Sequence, residues 1–127
     1  MKMQQLTATN KTAPRWAGDF GDRRTMLPGG ARLNAAAFPA GADGKKYVAA
    51  GTVVGKSPAD TNFSPATVNH EQVFILLYDV RDAADKADAE LYTAGVVYVN
   101  FLPAQGQAAV TALGARLRQQ YILTEGR

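Results

Sequence analysis

The chain has 127 residues, 46% of them hydrophobic, a net charge of +3 and no cysteine. That length suits one domain around one core, and the apolar share is enough to fill it. No apolar run reaches the roughly 18 residues that a membrane span needs, and lack of cysteine excludes disulfides and thiolate metal sites, which fits a reducing compartment.

The charge is unevenly spread. Up to Lys56, nine basic residues stand against three acidic ones, a balance of +6; from Ser57 onward, five stand against eight, a balance of −3. A positive front suggests an acidic partner for the first part of the chain, against the plainer reading of solvated surface charge.

Residues 1–27 show neither a helical nor a strand period and are dominated by Gln, Thr, Asn, Lys, Pro and Gly. Such a segment buries too little apolar surface by itself to offset its ordering entropy. It reads as an extended N-terminal arm without a secretory or lipidation pattern. Trp16 and Phe20 are costly to leave in water, so they either anchor the arm on another surface or fold back on their own domain. Arg15, Arg23 and Arg24 flank them and complete a candidate contact set. Pro28-Gly29-Gly30 marks a hinge before the domain proper, residues 28–127.

Residues 31–42 are Ala-rich, broken by Pro39 and Gly41, and Asp43-Gly44 predicts a tight turn. The stretch Tyr47-Val-Ala-Ala-Gly-Thr-Val-Val-Gly-Lys56 then alternates β-formers with Gly51 and Gly55, which predicts a corner between two short strands. Ala50 to Ser57 also has the spacing of a phosphate loop with Ala for its first Gly. That chemistry requires a helix immediately after the loop, to carry the anion on its N-terminus. Pro58, Asp60, Asn62 and Pro65 predict a loop instead, so the structural corner is the better reading.

Residues 73–78, Val-Phe-Ile-Leu-Leu-Tyr, form an apolar run of the kind found in a strand covered on both faces. The acidic stretch 79–90 lacks the ligand positions of a calcium loop and reads as an exposed loop. Gly95 marks another turn, followed by a strand over 96–101 that ends at Pro103. A helix is predicted over 105–120, with Val110, Leu113 and Leu117 on one stripe and Arg116 and Arg118 in its last turns. Tyr121-Ile122-Leu123 predicts a short closing strand.

Catalytic signatures are weak. His70 is the one histidine, Ser57 and Ser64 are the two serines, and neither serine sits in a nucleophile elbow. A lone His without Cys makes a poor transition-metal site. No enzyme activity, metal or cofactor is expected. A basic nucleic-acid-binding module is the alternative reading, but the cations are scattered and aromatic interleaving is limited to Trp16 and Phe20.

Two stretches together resemble a known family. Residues 47–56 are similar to the "PAGT-x-(V/L)-G" strand-turn of tailed-bacteriophage head decoration proteins, the lambda-like capsid-stabilising family, with Ala49 where that family often has Pro. Residues 74–79, the acidic loop, and Leu91-Tyr-Thr-Ala-Gly95-Val-Val-Tyr-Val-Asn100 resemble its second half, and a late helix and a closing strand also fit. The resemblance covers about residues 28–123. It implies an α+β, mostly β domain, a small barrel or β-tulip with one late helix, on the exterior of a virion capsid. The implied partner is the major capsid protein, met through the arm residues Arg15, Trp16, Phe20, Arg23 and Arg24. Homotrimers are the implied assembly, with dimers or monomers among related cement proteins; no membrane, nucleic acid, activity or cofactor belongs to the family.

Overall fold

The computed structural model describes residues 14–18, 31–83 and 89–126. Among these, six strands and one α-helix follow in order: β1 (Val53–Lys56), β2 (Ser64–Pro65), β3 (Gln72–Leu76), β4 (Leu91–Tyr92), β5 (Gly95–Tyr98), α1 (Ala104–Leu117) and β6 (Tyr121–Thr124). The first four make an antiparallel sheet in the order β2-β1-β3-β4, and β5 and β6 pair in parallel with α1 crossing between them. The architecture is α+β and mostly β, as the sequence predicts.

The β1–β3 pair is the wall on which everything else is hung. Its register sets Val53 opposite Ile75 and Val54 opposite Phe74, and β3 continues with Ile75 opposite Tyr92 and Leu76 opposite Leu91. Successive side chains on a strand point to opposite faces. Val53, Val73, Ile75, Leu77 and Tyr92 therefore enter one core, beneath α1, while Val54, Leu76 and Leu91 enter a second core on the other side. The strand expected to be covered on both faces is so covered. Its regular ladder ends at Leu76, and the Leu77 amide makes one further bond to Glu90 O at 2.8 Å.

The first core takes Ala109, Leu113 and Leu117 from α1, with Trp16, Val97, Leu102 and Tyr121. The buried stripe runs through Ala109 rather than Val110, which is half-buried. Leu113 has non-helical dihedrals (φ −120°, ψ 18°), a kink where the helix meets Gly114. The helix start is fastened to β1 by a reciprocal pair: the Val53 amide donates to Gln105 Oε1 at 2.8 Å, and Gln105 Nε2 donates to Val53 O at 3.2 Å.

The second core is closed by irregular backbone. Ala31 bridges Ala89, Leu33 bridges Phe63, and Val48 bridges Val80. Segment 31–34 thus touches both edges of the four-stranded sheet, near β4 and near β2, by single bridges. The strands themselves do not close into a barrel.

Three sequence expectations need correction. Val48 makes only an isolated bridge, so the 47–56 stretch has one strand after its corner, not one on each side. Gly55 lies within β1, opposite Ser64 and Val73, and is no turn. An added Cβ there would meet His70 Nδ1 at 2.7 Å and Gln72 O at 2.9 Å, so its lack of a side chain serves a close approach. Residues 99–101 turn into a 3-10 segment instead of extending β5, because the chain must swing toward Pro103 and α1.

Candidate functional site

The five residues expected in a partner contact divide sharply. Phe20, Arg23 and Arg24 lie outside the described residues. Arg15 and Trp16 are described, and the local backbone explains where they sit. Ala17 bridges Val97; the Tyr98 amide donates to Trp16 O at 2.7 Å, and the Gly18 amide donates to Val96 O at 2.9 Å. Residues 16–18 thereby take the open edge of β5 as a short antiparallel strap.

That pairing drives the Trp16 indole inward. It is 3% exposed and meets the Tyr92 ring edge-on at 5.4 Å between centroids. Tyr92 in turn stacks on Tyr121 at 5.8 Å. Of the two readings of Trp16 left open by the sequence, an anchor for another surface or a residue folded back on its own domain, the structure gives the second. The reason is simple: the hydrophobic slot beside Tyr92 and Leu102 is its own chain's, and the strap holds the indole in it. Among the described residues nothing accepts a hydrogen bond from the buried Trp16 Nε1. Arg15, beside it, is exposed, and its guanidinium carbon lies 4.1 Å from the centroid of Phe101.

The three glycines expected at turns also divide. Gly51 has φ +92°, and its amide donates to Leu76 O at 2.7 Å; an added Cβ would run into Pro103 and Trp16. It is the corner at which the 47–50 segment turns into β1, and it lies against Pro103 and Gly106 at the start of α1. Gly95, φ +129°, opens β5. Gly55 is the mid-strand position corrected above. The phosphate-loop spacing across this corner is carried by β1 and the turn after it: Lys56 Nζ donates to Asp60 O at 3.3 Å, and the Ser57 amide to Asp60 Oδ2 at 3.0 Å. No helix follows to cradle an anion.

The residues that could have made a nucleophilic site have other engagements. His70 Nδ1 accepts from the Thr67 amide at 3.2 Å, Ser57 Oγ donates to Asn69 O at 3.4 Å, and Ser64 Oγ accepts from Asn34 Nδ2 at 3.2 Å. At the start of the acidic stretch, Asp79 Oδ1 accepts from the Ala50 amide at 2.7 Å and Asp82 Oδ1 from the Lys46 amide at 3.2 Å. These carboxylates tie down the corner, a use of the acidic stretch that its spacing did not announce. Among the described residues no group of three or more His, Asp or Glu is placed to hold a metal ion, and no helix is long and apolar enough to cross a membrane.

Two hollows remain. One, about 200 Å³, is an open apolar groove between α1 and the 67–73 loop, lined by Val68, Val73, Ala112 and Arg116 among others. The second, about 330 Å³, is polar and shallow, between Asn34 and the 59–64 loop. Neither gathers convergent charged groups. The surface features that sequence reasoning missed are the large apolar side chains left in solvent: Tyr47, Val68 and Ile122, at 59, 73 and 65% exposure. Ile122 had a legible signal, since a short closing strand of alternating burial must show one residue outward. Comparison of the chain with protein-family models, with curated proteins and with solved structures returns no match.

Proposed function

We propose that this chain is a bacteriophage head decoration protein, one that binds the outer surface of the major capsid protein shell and stabilises the expanded head. The observation that carries the proposal is how the resembling stretches are arranged. Residues 47–56, 74–79 and 91–100 are far apart in sequence, yet they supply β1, most of β3, β4 and β5, which with the late helix and β6 make up the regular framework of the described residues apart from the two-residue β2. Chance likenesses scattered over a chain have no reason to meet in neighbouring strands of its framework. The bridges from segment 31–34 to both sheet edges support the finer reading of a small, incompletely closed barrel of the β-tulip kind.

The function is adhesive. It requires a rigid body and a contact surface, and no catalytic step or cofactor. Attachment rests on Phe20, Arg23 and Arg24 with Arg15, and display in several copies, as trimers in the resembling family, makes modest contacts durable. Trp16 contributes by holding the strap at 16–18, which precedes Phe20, Arg23 and Arg24 in the sequence.

The test is co-sedimentation with expanded heads purified without the protein. The chain is expected to bind at physiological salt and raise the temperature at which the heads release their DNA, since a ligand stabilises the state it binds. Arg23→Ala with Arg24→Ala should weaken binding while leaving the melting temperature of the free protein unchanged. Failure of the intact chain to bind heads, or a tight and steeply salt-dependent complex with DNA in its place, overturns the proposal.

A further inference from the structure

We propose that β6 is a self-association edge, on which two copies of this chain pair antiparallel about a two-fold axis and extend their β5–β6 sheets into one. The inference stands on strand edges and does not need the capsid reading.

An unpaired strand edge presents a row of free amides and carbonyls, and folded proteins cover or blunt such edges. This chain does so nearly everywhere it is described. The outer edge of β2 carries Pro65 and is met at Phe63 by the 31–34 segment; that same segment bridges Ala89 beside β4; the strap at Ala17 takes the free edge of β5. Among the described residues β6 is the one strand longer than two residues whose outer edge no backbone meets. It has none of the usual protections. Its sequence is Tyr-Ile-Leu-Thr, without proline or charge, and it is a regular four-residue ladder opposite Gly95 to Tyr98. Nor does the following segment fold over it. Gly126 is drawn to the inner side, where Asn100 Nδ2 donates to Gly126 O at 3.0 Å and the Gly126 amide donates to Asn100 Oδ1 at 2.7 Å.

The side chains agree with the backbone. Tyr121 and Leu123 face the core, whereas Ile122 and Thr124 face outward, opposite Val96 and Tyr98. An isoleucine 65% exposed thus borders a mostly apolar sheet face next to the open edge. The occupant follows from charge. A two-fold axis pairs a strand with its own reverse. Because β6 carries no charge, self-pairing opposes no like charges, and it sets Ile122 against the partner copy's Ile122. Arg118 precedes the strand and Glu125 follows it, both exposed, so the antiparallel arrangement brings the cationic end of one edge to the anionic end of the other. The closed assembly this edge builds is a dimer, not the trimer that the family resemblance favours.

The absence of cysteine makes the test clean. In the full chain, Ile122→Cys should form a disulfide-linked dimer under mild oxidation, because residues directly opposed on antiparallel strands bring their Cβ atoms to about 4.5–5.5 Å, near the span of a disulfide. Ala112→Cys, exposed in the groove between α1 and the 67–73 loop, should not. Sedimentation equilibrium of the unmodified chain should show a concentration-dependent shift from monomer to dimer, and Ile122→Lys should abolish it while leaving the melting temperature unchanged at dilutions where the unmodified chain is monomeric. A chain that stays monomeric at all concentrations, a trimer that Ile122→Lys leaves intact, or cross-linking no faster at 122 than at 112 would overturn the proposal. So would a monomer whose Ile122→Lys variant loses only head binding, which would assign the edge to a foreign strand.

Discussion

The two cores share one wall and differ in everything else. The core beneath α1 draws on segments that span the described chain, from Trp16 to Tyr121, and is bounded by a helix, two sheets and a file of three aromatic rings, Trp16 edge-on to Tyr92 and Tyr92 stacked on Tyr121. The core on the other face of β1–β3 is drawn from residues 31–91, and its outer boundary is loop, turn and single bridges around Leu33, Phe38, Val48 and Phe63. Both are fed by alternate residues of the same two strands, so Val53 and Val54, neighbours in sequence, stabilise different halves of the molecule. Regular structure is not what makes a core here. A long apolar strand with both faces covered can hold one side with a helix and the other with well-bonded irregular chain, provided its amides are satisfied, as Ala50 and Lys46 are by Asp79 and Asp82.

The largest test of this comparison is to remove the most distant member of the first core. Trp16→Ala should lower unfolding free energy by about 3–5 kcal/mol, the range for deleting a buried large aromatic. Urea unfolding followed by far-ultraviolet circular dichroism would measure it. An effect within about 0.5 kcal/mol, the range of a surface site, would mean that the strap is not part of the core. By contrast, Leu76→Ala, on the loop-bounded side, should cost about 2–5 kcal/mol, with the lower end expected if irregular boundaries collapse into the space more readily than a helix does.

The corner between the cores comes next. Gly51→Ala forces a side chain into left-handed backbone and against Pro103, so a loss of roughly 1–3 kcal/mol is expected, and the same unfolding assay reads it. Gly55→Ala tests the other kind of glycine. It sits in ordinary extended backbone, so its cost arises from the clash with His70 and with the Gln72 carbonyl, and only the share owed to the His70 ring should fall when His70→Ala is made with it.

Tyr121 gives a smaller effect with its own signature. Its hydroxyl donates to Tyr92 O and accepts from the Ile75 amide at 3.3 Å, and burial pushes its pKa well above the ordinary 10.0. A phenol whose folded pKa is raised stays protonated while the unfolded chain ionises, so its stabilisation is complete below about pH 10 and is lost as pH rises further. Tyr121→Phe should cost about 1–2 kcal/mol at pH 7 and make the decline above pH 10 shallower; an unchanged slope in a series of melts would remove Tyr121 from that account.

Much of the regular fold was legible because it rests on local signals. The apolar run 73–78, the helix ended by its cationic turn and the closing strand after it each announce themselves through period and composition. The failures come from contacts that no local window contains. Gly55 reads as a break until His70, fifteen residues on, is seen packed over it. Trp16 stands in a segment without periodicity, and only the open edge of β5, some eighty residues later, makes it core. Asp79 and Asp82 look like solvated charge because their partners are backbone amides at 50 and 46. Of the proposed contact residues, the sequence marked Arg15 for its charge, while its seat on Phe101 depends on where the 3-10 turn at Val99–Phe101 delivers that ring.

Arg15 supplies the finest test, because it sits in the folded strap and in the proposed contact set. Its guanidinium covers Phe101, and the same ring lies against Gly126 and meets Tyr98 edge-on at 6.2 Å, so the cation closes a small cluster where the strap, the 3-10 turn and the segment after β6 come together. An exposed cation–π contact is worth about 0.5–1 kcal/mol. Arg15→Ala should lower unfolding free energy by no more than that, and Arg15→Lys should recover part of it, since an ammonium keeps the charge but not the flat stacking surface. Both variants should stay folded well below their melting temperature, so their affinity for expanded heads can be measured without an unfolding correction. If the loss of head affinity in Arg15→Ala exceeds the loss of stability, the guanidinium touches the shell. If the two losses match, Arg15 acts only by securing the strap, and attachment falls to Phe20, Arg23 and Arg24.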